Sequence, residues 1–258
     1  LGDHQIAIGT EMVLTLENSD YYFYYGYLKN KTDYHFAGFQ TANFFQIGLY
    51  TLGRLRHQGF QTSISHPFSH FQRVDVGLSW HNVVYDILDQ VYNPVLDQRE
   101  YVKRSPSQGF STILPTFSWV IDNSVFGFTG PIDGYRQNTS IIISPGGSKT
   151  DMSFQTMKID VRKYWRFGRD YTFAVRGFFG RSQGDDAQKF FLGGMPYLLS
   201  GRGETNGIED NGYYRNVLTD TSNTSMISDI YFTEYAFPLR GARFAERIGT
   251  QTALFNFE

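Results

Sequence analysis

The segment from Phe71 to Trp80 alternates apolar and polar side chains without a break. Its apolar members are Val74, Val76, Leu78 and Trp80, and the residues between them are charged, polar or glycine. A β-strand projects successive side chains to opposite faces, so this segment predicts a strand with one apolar face and one polar face. The same pattern returns along the whole chain, which predicts an all-β protein.

The length of the alternating segments favours one kind of all-β protein over another. Strands of soluble β-sandwiches average about 5 or 6 residues, whereas a tilted strand needs about 9 to 11 residues to cross the hydrocarbon of a membrane. Segments of the longer kind occupy residues 71–85, 109–122, 150–167 and 227–239. We therefore expect an antiparallel transmembrane β-barrel with lipid outside and a polar lumen. A soluble sandwich that hides its apolar face between two sheets is the alternative.

Composition supports the membrane interpretation. Aromatic residues make up 17 % of the 258-residue chain, with 24 Phe and 18 Tyr, which is more than core packing requires. Rings of this kind form girdles where a barrel meets the two membrane surfaces. The net charge of −2 offers no basic surface for nucleic acid, and the absence of cysteine excludes disulfides and thiol chemistry. No apolar run reaches the roughly 18 residues that a membrane helix needs.

The chain contains about eleven segments with strand character. Their expected ranges are 4–15, 20–29, 33–47, 57–67, 71–85, 109–122, 135–145, 150–167, 169–181, 226–239 and 249–258. Three tight links, at 30–33, 67–70 and 167–170, fall at one end of these strands. The long links 86–108 and 182–225 fall at the other. Because bacterial barrels have short periplasmic turns and longer outer loops, residues 182–225 are expected to form an extracellular loop.

The first part of that long loop is unusually apolar. Phe190 to Leu199 reads Phe-Phe-Leu-Gly-Gly-Met-Pro-Tyr-Leu-Leu. Apolar side chains gain free energy when they leave water, and the barrel lumen is the nearest enclosed space. We therefore expect the 182–225 loop to fold into the lumen.

The loop contains a sequence motif, Phe-Phe-Leu-Gly-Gly at 190–194 followed by Ser-Gly-Arg-Gly-Glu at 200–204. It resembles the approach to the Arg-Gly motif on the sixth extracellular loop of the BamA-like, or bacterial surface antigen, superfamily of outer-membrane β-barrels. Residues 230–239, with their Glu-x-x-Phe-Pro pattern, and 253–258 are similar to the two strands that follow this loop. The superfamily includes outer-membrane assembly factors and two-partner secretion transporters.

The resemblance implies a single barrel domain over residues 1–258 that is incomplete at both ends. The family barrel has roughly sixteen strands, so about two are expected before Leu1 and about three after Glu258. Shorter patterns at 65–71 and 126–134 resemble the barrel that closes proteins whose N-terminal part is a TolB-like β-propeller.

The resemblance also implies a set of site residues. In the family the loop folds back into the lumen and its arginine contacts acids on the next two strands, which places Arg202 against Glu234 and Glu258. The glycines of the loop motif are Gly193, Gly194, Gly201 and Gly203. A guanidinium in a partly dry lumen needs paired carboxylates. A solvated Arg202 on a surface loop is the alternative.

The sequence does not favour an enzyme, and we expect no cofactor and no metal. Three histidines lie close in sequence to three serines: His66, His70 and His81, with Ser63, Ser65 and Ser79. Two of these histidines fall at a strand end and a turn, where exposed histidines are common, and no third ligand completes a metal site.

The favoured interpretation is a non-enzymatic barrel of the bacterial outer membrane that inserts or exports proteins, with a lumenal loop pinned by Arg202. Its expected partners are outer-membrane lipid, client outer-membrane or secreted proteins, and a periplasmic domain or accessory subunits, but not nucleic acid. One alternative is a structural or pore-forming barrel that anchors a periplasmic domain or partner complex. The other is a soluble β-sandwich that serves as an interaction protein.

Overall fold

A computed structural model describes most of the chain as β-strand. The described residues are 2–12, 15–48, 50–95, 97–104, 107–128, 130–147, 152–168, 171–193, 234–238 and 247–258. The strands are β1 (His4–Glu11), β2 (Asp20–Tyr27), β3 (Asp33–Gly48), β4 (Thr51–Ser69), β5 (Gln72–Asn93), β6 (Gln98–Lys103), β7 (Gln108–Asp122), β8 (Val125–Phe126), β9 (Pro131–Pro145), β10 (Ser153–Phe167), β11 (Tyr171–Gln183), β12 (Phe190–Gly193), β13 (Glu234–Pro238), β14 (Arg247–Gly249) and β15 (Gln251–Phe257). A short 3₁₀ helix covers Leu16–Asn18.

Twelve strands form one large antiparallel sheet, in the order β1-β2-β3-β4-β5-β7-β9-β10-β11-β15. The two remaining members lie off this path, since β6 pairs with β5 and β8 pairs with β9. Most neighbours in the sheet are also neighbours in sequence, as expected for a meander of hairpins. The prediction of an all-β, antiparallel fold is confirmed.

Two central strands are much longer than the sequence predicted. Strand β4 has 19 residues and β5 has 22, and β3 and β4 meet in a tight hairpin in which Gly48 pairs with Thr51. The expected link over residues 48–56 is therefore wrong, because most of it is strand. Arg54 and Arg56 explain the error, since they occupy positions in β4 where the alternation would place apolar residues.

Register places the apolar residues of neighbouring strands on a common side of the large sheet. Phe60 lies opposite Trp80, and Val76 lies opposite Phe117. We call this side the apolar face; it also carries Ile6, Ile8, Phe23, Phe36, Ile64, Leu78, Ile113, Trp119, Met157, Trp165, Phe173, Phe179, Phe255 and Phe257. The opposite side, the polar face, carries the intervening residues of each strand.

The exposure of the two sheet faces is the reverse of that in a soluble protein that hides one face of its sheet. Val76, Leu78 and Trp80 are 50, 48 and 40 % exposed, whereas Ser79 between them is 8 % exposed. In the middle of the sheet the apolar face is thus the more exposed one, and the polar face is the less exposed one. In a soluble protein with one hidden sheet face, the apolar side chains would be the covered set.

The two ends of the sheet differ. Strand pairs β2–β3, β4–β5 and β10–β11 are joined by short links at one end, called the short-link end. The other end is called the long-link end. There β3 and β4 are joined by a tight hairpin, but β5 continues into a hairpin with β6, and β11 leads into the long segment after Gln183.

The buried apolar clusters lie on the polar face, towards the long-link end. One consists of Val83, Phe110, Leu114, Met152 and Phe154. The other consists of Phe178, Phe190 and Leu254, with Leu192 packed against it. Because Phe190 belongs to β12, this second cluster fixes a segment from outside the large sheet onto the polar face.

Strands β12, β13 and β14 form a separate small sheet in the order β13-β12-β14. Residues 226–239 were expected to supply the strand between 169–181 and 249–258. Instead β15 pairs directly with β11, with Leu254 opposite Phe178, and Glu234–Pro238 pairs in parallel with β12. That expectation is wrong for the described residues 234–238, since β15 already occupies the edge of β11.

Candidate functional site

The polar face of β10 and β11 carries a compact charged cluster. The Oδ2 atom of Asp160 accepts hydrogen bonds from the Nη2 atoms of Arg162, at 2.8 Å, and of Arg176, at 2.6 Å. Its Oδ1 atom accepts hydrogen bonds from the Nε atoms of the same two arginines. Register explains the arrangement, because Arg162 lies directly opposite Arg176 and Asp160 is two residues along the same face. One carboxylate therefore orders two guanidinium groups by bidentate pairing.

Beside this cluster lies a small open cavity of about 160 Å³. Its lining is Arg162, Tyr164, Ala174, Val175, Arg176, Asn256 and Glu258. The Oδ1 atom of Asn256 is buried there without a hydrogen-bond partner among the described residues. Guanidinium groups, a carboxylate and an unused amide oxygen thus meet at one place, which suits recognition of a polar or charged group by paired hydrogen bonds.

Only part of the sequence-predicted loop site lies in the described structure. Gly194, Gly201, Arg202 and Gly203 lie outside the described residues. Gly193 ends β12, and Glu234 begins β13 opposite Phe190. Glu258 lies beside β11 on the polar face, where its backbone pairs with Ala174, and it is one of the residues that line the cavity. Contact of Arg202 with Glu234 or Glu258 stays a prediction.

The pairing of Asp160 with Arg162 and Arg176 was not predicted from the sequence. The alternation of β10 already placed Asp160 and Arg162 on the polar side of their strand. The contribution of Arg176 depends on the register between β10 and β11, which the alternation of either strand alone does not specify.

The first part of the long loop is anchored on the polar face by hydrogen bonds. Thr156 contacts Ser182 at 2.8 Å and donates to the side-chain oxygen of Gln188 at 2.7 Å, and the Gln188 backbone N–H donates to Ser182 Oγ. The ring of Phe190 then packs where a side chain at Gly180 would otherwise lie. The expected fold of 182–225 into a lumen stays a prediction, since only its residues up to Gly193 are described.

The histidines are distributed differently from the catalytic cluster considered above. His57 Nε2 lies 2.9 Å from His81 Nδ1, and His81 Nε2 lies 3.0 Å from Ser79 Oγ. His66 instead contacts Thr32 at 2.8 Å, and His70 lies in the exposed β4–β5 turn. His66, His70 and His81, which were considered as a catalytic group and not favoured, are therefore not brought together. Within the described ranges, no group of three or more His, Asp or Glu side chains could hold a metal ion.

A second charged cluster lies at the long-link end, on the side of the sheet that carries the apolar face. Asp86 is 1 % exposed and accepts from Arg54 at 2.6 Å, Arg56 at 3.2 Å and Ser107 at 2.7 Å, with Lys103 at 3.0 Å. Burial favours the neutral acid, but hydrogen bonds from Ser107, Arg54 and Lys103 and the charge of Arg54 outweigh it. The pKa of Asp86 is therefore held well below its usual range.

No protein-family model matches the chain. No curated protein matches it either. Among the residues that the structure describes, no helix is both long enough and apolar enough to cross a membrane.

Proposed function

We propose that this chain forms part of a bacterial outer-membrane β-barrel of the BamA-like, protein assembly or translocation type. The observation that carries the membrane proposal is the reversed exposure of the large sheet. Phe60, Trp80 and Phe117 are among many large apolar side chains on the open face, whereas the opposite face carries ionic and hydrogen-bonded side chains. A continuous exposed apolar surface of this kind is characteristic of contact with lipid or a partner.

The apolar face is better suited to contact with membrane hydrocarbon than to contact with water. Burying a large apolar side chain is worth about 1.5 to 3 kcal/mol, and the apolar face presents such residues on nearly every strand. Strands β7, β9 and β10 have 15 residues each, more than the about 9 to 11 that a tilted strand needs to cross a bilayer. In β5, residues 72–82 would cross, and Asp86 would lie beyond the hydrocarbon.

The proposal that the large sheet closes into a barrel follows from its two edge strands. Strands β1 and β15 stand at the two ends of the strand order. An unpaired backbone N–H or C=O in hydrocarbon costs several kcal/mol, so a sheet in lipid has to close on itself. We propose that further strands, from the same polypeptide or another, continue from β1 and β15 to complete a barrel of roughly sixteen strands.

The assembly or translocation type is favoured by the resemblance at 190–204 together with the placement of β12. Phe190 is 2 % exposed and packs on the polar face, which would be the lumenal face of a closed barrel. A client strand could then pair with unpaired backbone at a barrel seam.

A structural or pore-forming barrel is the second candidate. The open, charged cavity beside Arg176 favours it, since a polar passage needs uncovered charged groups on its wall. Steady ion conductance in planar bilayers would favour this candidate, whereas client insertion without such conductance would favour the assembly type.

The membrane proposal is tested by one charge placed on each face. Val76→Arg puts a charge on the apolar face and should cost about 2 to 4 kcal/mol in a bilayer, so outer-membrane insertion should fall sharply. The matched control is Ser118→Arg, because Ser118 lies opposite Asp75 on the polar face, where an acid can pair with the new charge.

The measurement is the fraction of protein in the outer-membrane pellet that resists alkaline extraction and needs detergent for release. The wild type and Ser118→Arg should remain in that fraction. Release of the wild type into buffer without detergent, or equal insertion of both variants, would contradict the membrane proposal.

A further inference from the structure

The apolar face ends in a group of cations at the long-link end. Arg54 and Arg56 occupy the same alternating positions of β4 as Phe60, and Lys103 lies on the same side, opposite Leu88 of β5. We call Arg54, Arg56 and Lys103 the rim cluster. Arg56 lies four positions before Phe60, which places the cluster about 13 Å beyond the Phe60–Trp80 pair.

The cations of the rim cluster are held close together by one buried carboxylate. Arg54 and Arg56 approach Asp86 Oδ2, and Lys103 approaches Oδ1. Glu17, on the 3₁₀ helix, lies 3.4 Å from Arg54 and 3.6 Å from Arg56. Three cations are therefore opposed by two carboxylates, and the Glu17 side chain is 65 % exposed. The cluster therefore carries one excess positive charge, and its most exposed cation is Lys103, at 40 %.

Arg56 has hydrogen-bonding capacity that the described protein does not use. Its Nε atom is buried without a hydrogen-bond partner among the described residues. Its Nη2 atom donates to Asp86, and its Nη1 atom makes the long ion pair with Glu17. The Lys103 ammonium group is 40 % exposed on the other side of Asp86. Because Nε is enclosed, an external anion would meet the exposed part of the Arg56 side chain, which is 21 % exposed, and the Lys103 ammonium group. Cationic N–H groups of this kind pair with phosphate oxygens.

We propose that the rim cluster binds the phosphate of an anionic lipid headgroup at the outer edge of the apolar face. This inference rests on the proposed membrane function, which brings lipid to that face. The acyl chains lie against Phe60 and Trp80, and the headgroup phosphate meets Arg56 and Lys103. Asp86 holds these two cations in place without using all their donors. Basic side chains next to an apolar surface attract anionic headgroups in this way.

The test is lipid binding by the full chain in detergent, measured by native mass spectrometry. The probes are phosphatidylglycerol, phosphatidylcholine and inorganic phosphate. Wild type should bind phosphatidylglycerol in preference to both others. The double variant Arg56→Gln, Lys103→Gln should bind it roughly thirtyfold more weakly, since each basic side chain near an anionic surface contributes a factor of about five.

Two controls separate this effect from general charge and from misfolding. Lys29→Gln with Lys31→Gln removes the same charge from exposed positions at the short-link end and should leave the lipid preference unchanged. Glu17→Gln removes a competing carboxylate from the exposed side of the rim cluster, and should tighten phosphatidylglycerol binding several-fold, by about the factor for one charge.

Equal binding of phosphatidylglycerol by wild type and the double variant would overturn the proposal. Weaker or unchanged binding by Glu17→Gln would also overturn it, and equal affinity for inorganic phosphate would exclude a lipid as the source of the anion. Failure of the membrane proposal would be recognised in a different way, because the wild type would then be released into buffer without any detergent.

Discussion

Asp86 lies on the face that otherwise carries exposed apolar residues, yet it is among the most buried side chains described. An isolated buried carboxylate is costly, so its neighbours decide whether it can stay charged. Arg54, Arg56 and Lys103 supply opposite charge, and Ser107 donates a hydrogen bond. The residue thus joins β4, β5 and β6 just beyond the apolar face.

Asp86→Asn should destabilise the folded protein by about 3 kcal/mol, because it leaves neighbouring cations without their buried partner. The matched control, Asp89→Asn, removes a more exposed acid that pairs with Arg104 in the same hairpin and should cost much less. Urea unfolding in detergent measures both. A cost for Asp86→Asn no larger than that for Asp89→Asn would contradict the structural role of the cluster.

The same pair of variants also tests how the stability of the folded protein depends on pH. The folded-state pKa of Asp86 is lowered, so its contribution to stability is complete above the unfolded value of about 4 and is lost as pH falls through the folded value. Wild type should therefore lose this contribution in acid below about pH 4, and Asp86→Asn should lack that part of the pH dependence. Unfolding measured across this range checks the difference, and parallel curves would contradict it.

At the scale of elements, β12 depends on one aromatic ring for its position. Phe190 packs against Phe178 and Leu254, and the Gln188 contacts with Thr156 and Ser182 fix the chain just before it. The alternation could predict β10, β11 and β15, since each has a regular period. It could not place β12, because a short apolar run has no period that assigns it to a face.

Phe190→Ala should destabilise this part of the polar face by about 3 to 5 kcal/mol, the usual cost of removing a buried phenyl ring. Phe255→Ala is the control, because Phe255 is 71 % exposed on the apolar face and should cost far less in detergent. Hydrogen exchange of residues 184–193 reports the local effect. Unchanged protection in Phe190→Ala would show that the ring does not hold β12.

Strand limits were predictable where the alternation was regular and failed where charge interrupted it. Strand β7 begins and ends within a residue of the predicted 109–122. Strand β4 begins six residues before its predicted start at 57, since Arg54 and Arg56 replace apolar residues in the pattern. Pairing with β3 and β5 keeps this part in the sheet despite its charges.

At the scale of the whole molecule, the edges of the large sheet decide whether it can exist in lipid. Both long edges belong to short strands, β1 with 8 residues and β15 with 7. If the sheet closes through further strands, the backbone N–H groups of β1 that do not face β2 are hydrogen-bonded in the membrane.

Hydrogen exchange on the complete polypeptide in bilayers tests this closure. We expect successive amides over residues 4–11 to be protected, as they are in an interior strand such as β4. Protection of only every second amide of β1, with full protection of β4, would mean that the edge is open and would contradict a closed barrel.

The sequence by itself determined the class of this protein. Side-chain alternation has a period of two in any strand, so the segment from Phe71 to Trp80 specified an apolar and a polar face before any partner strand was known. Tertiary structure alone decided which face is covered, since burial depends on what packs over a sheet. It also decided that Arg176 reaches Asp160, that β15 pairs with β11 and that Arg54 reaches Asp86, because register joins residues far apart in the chain.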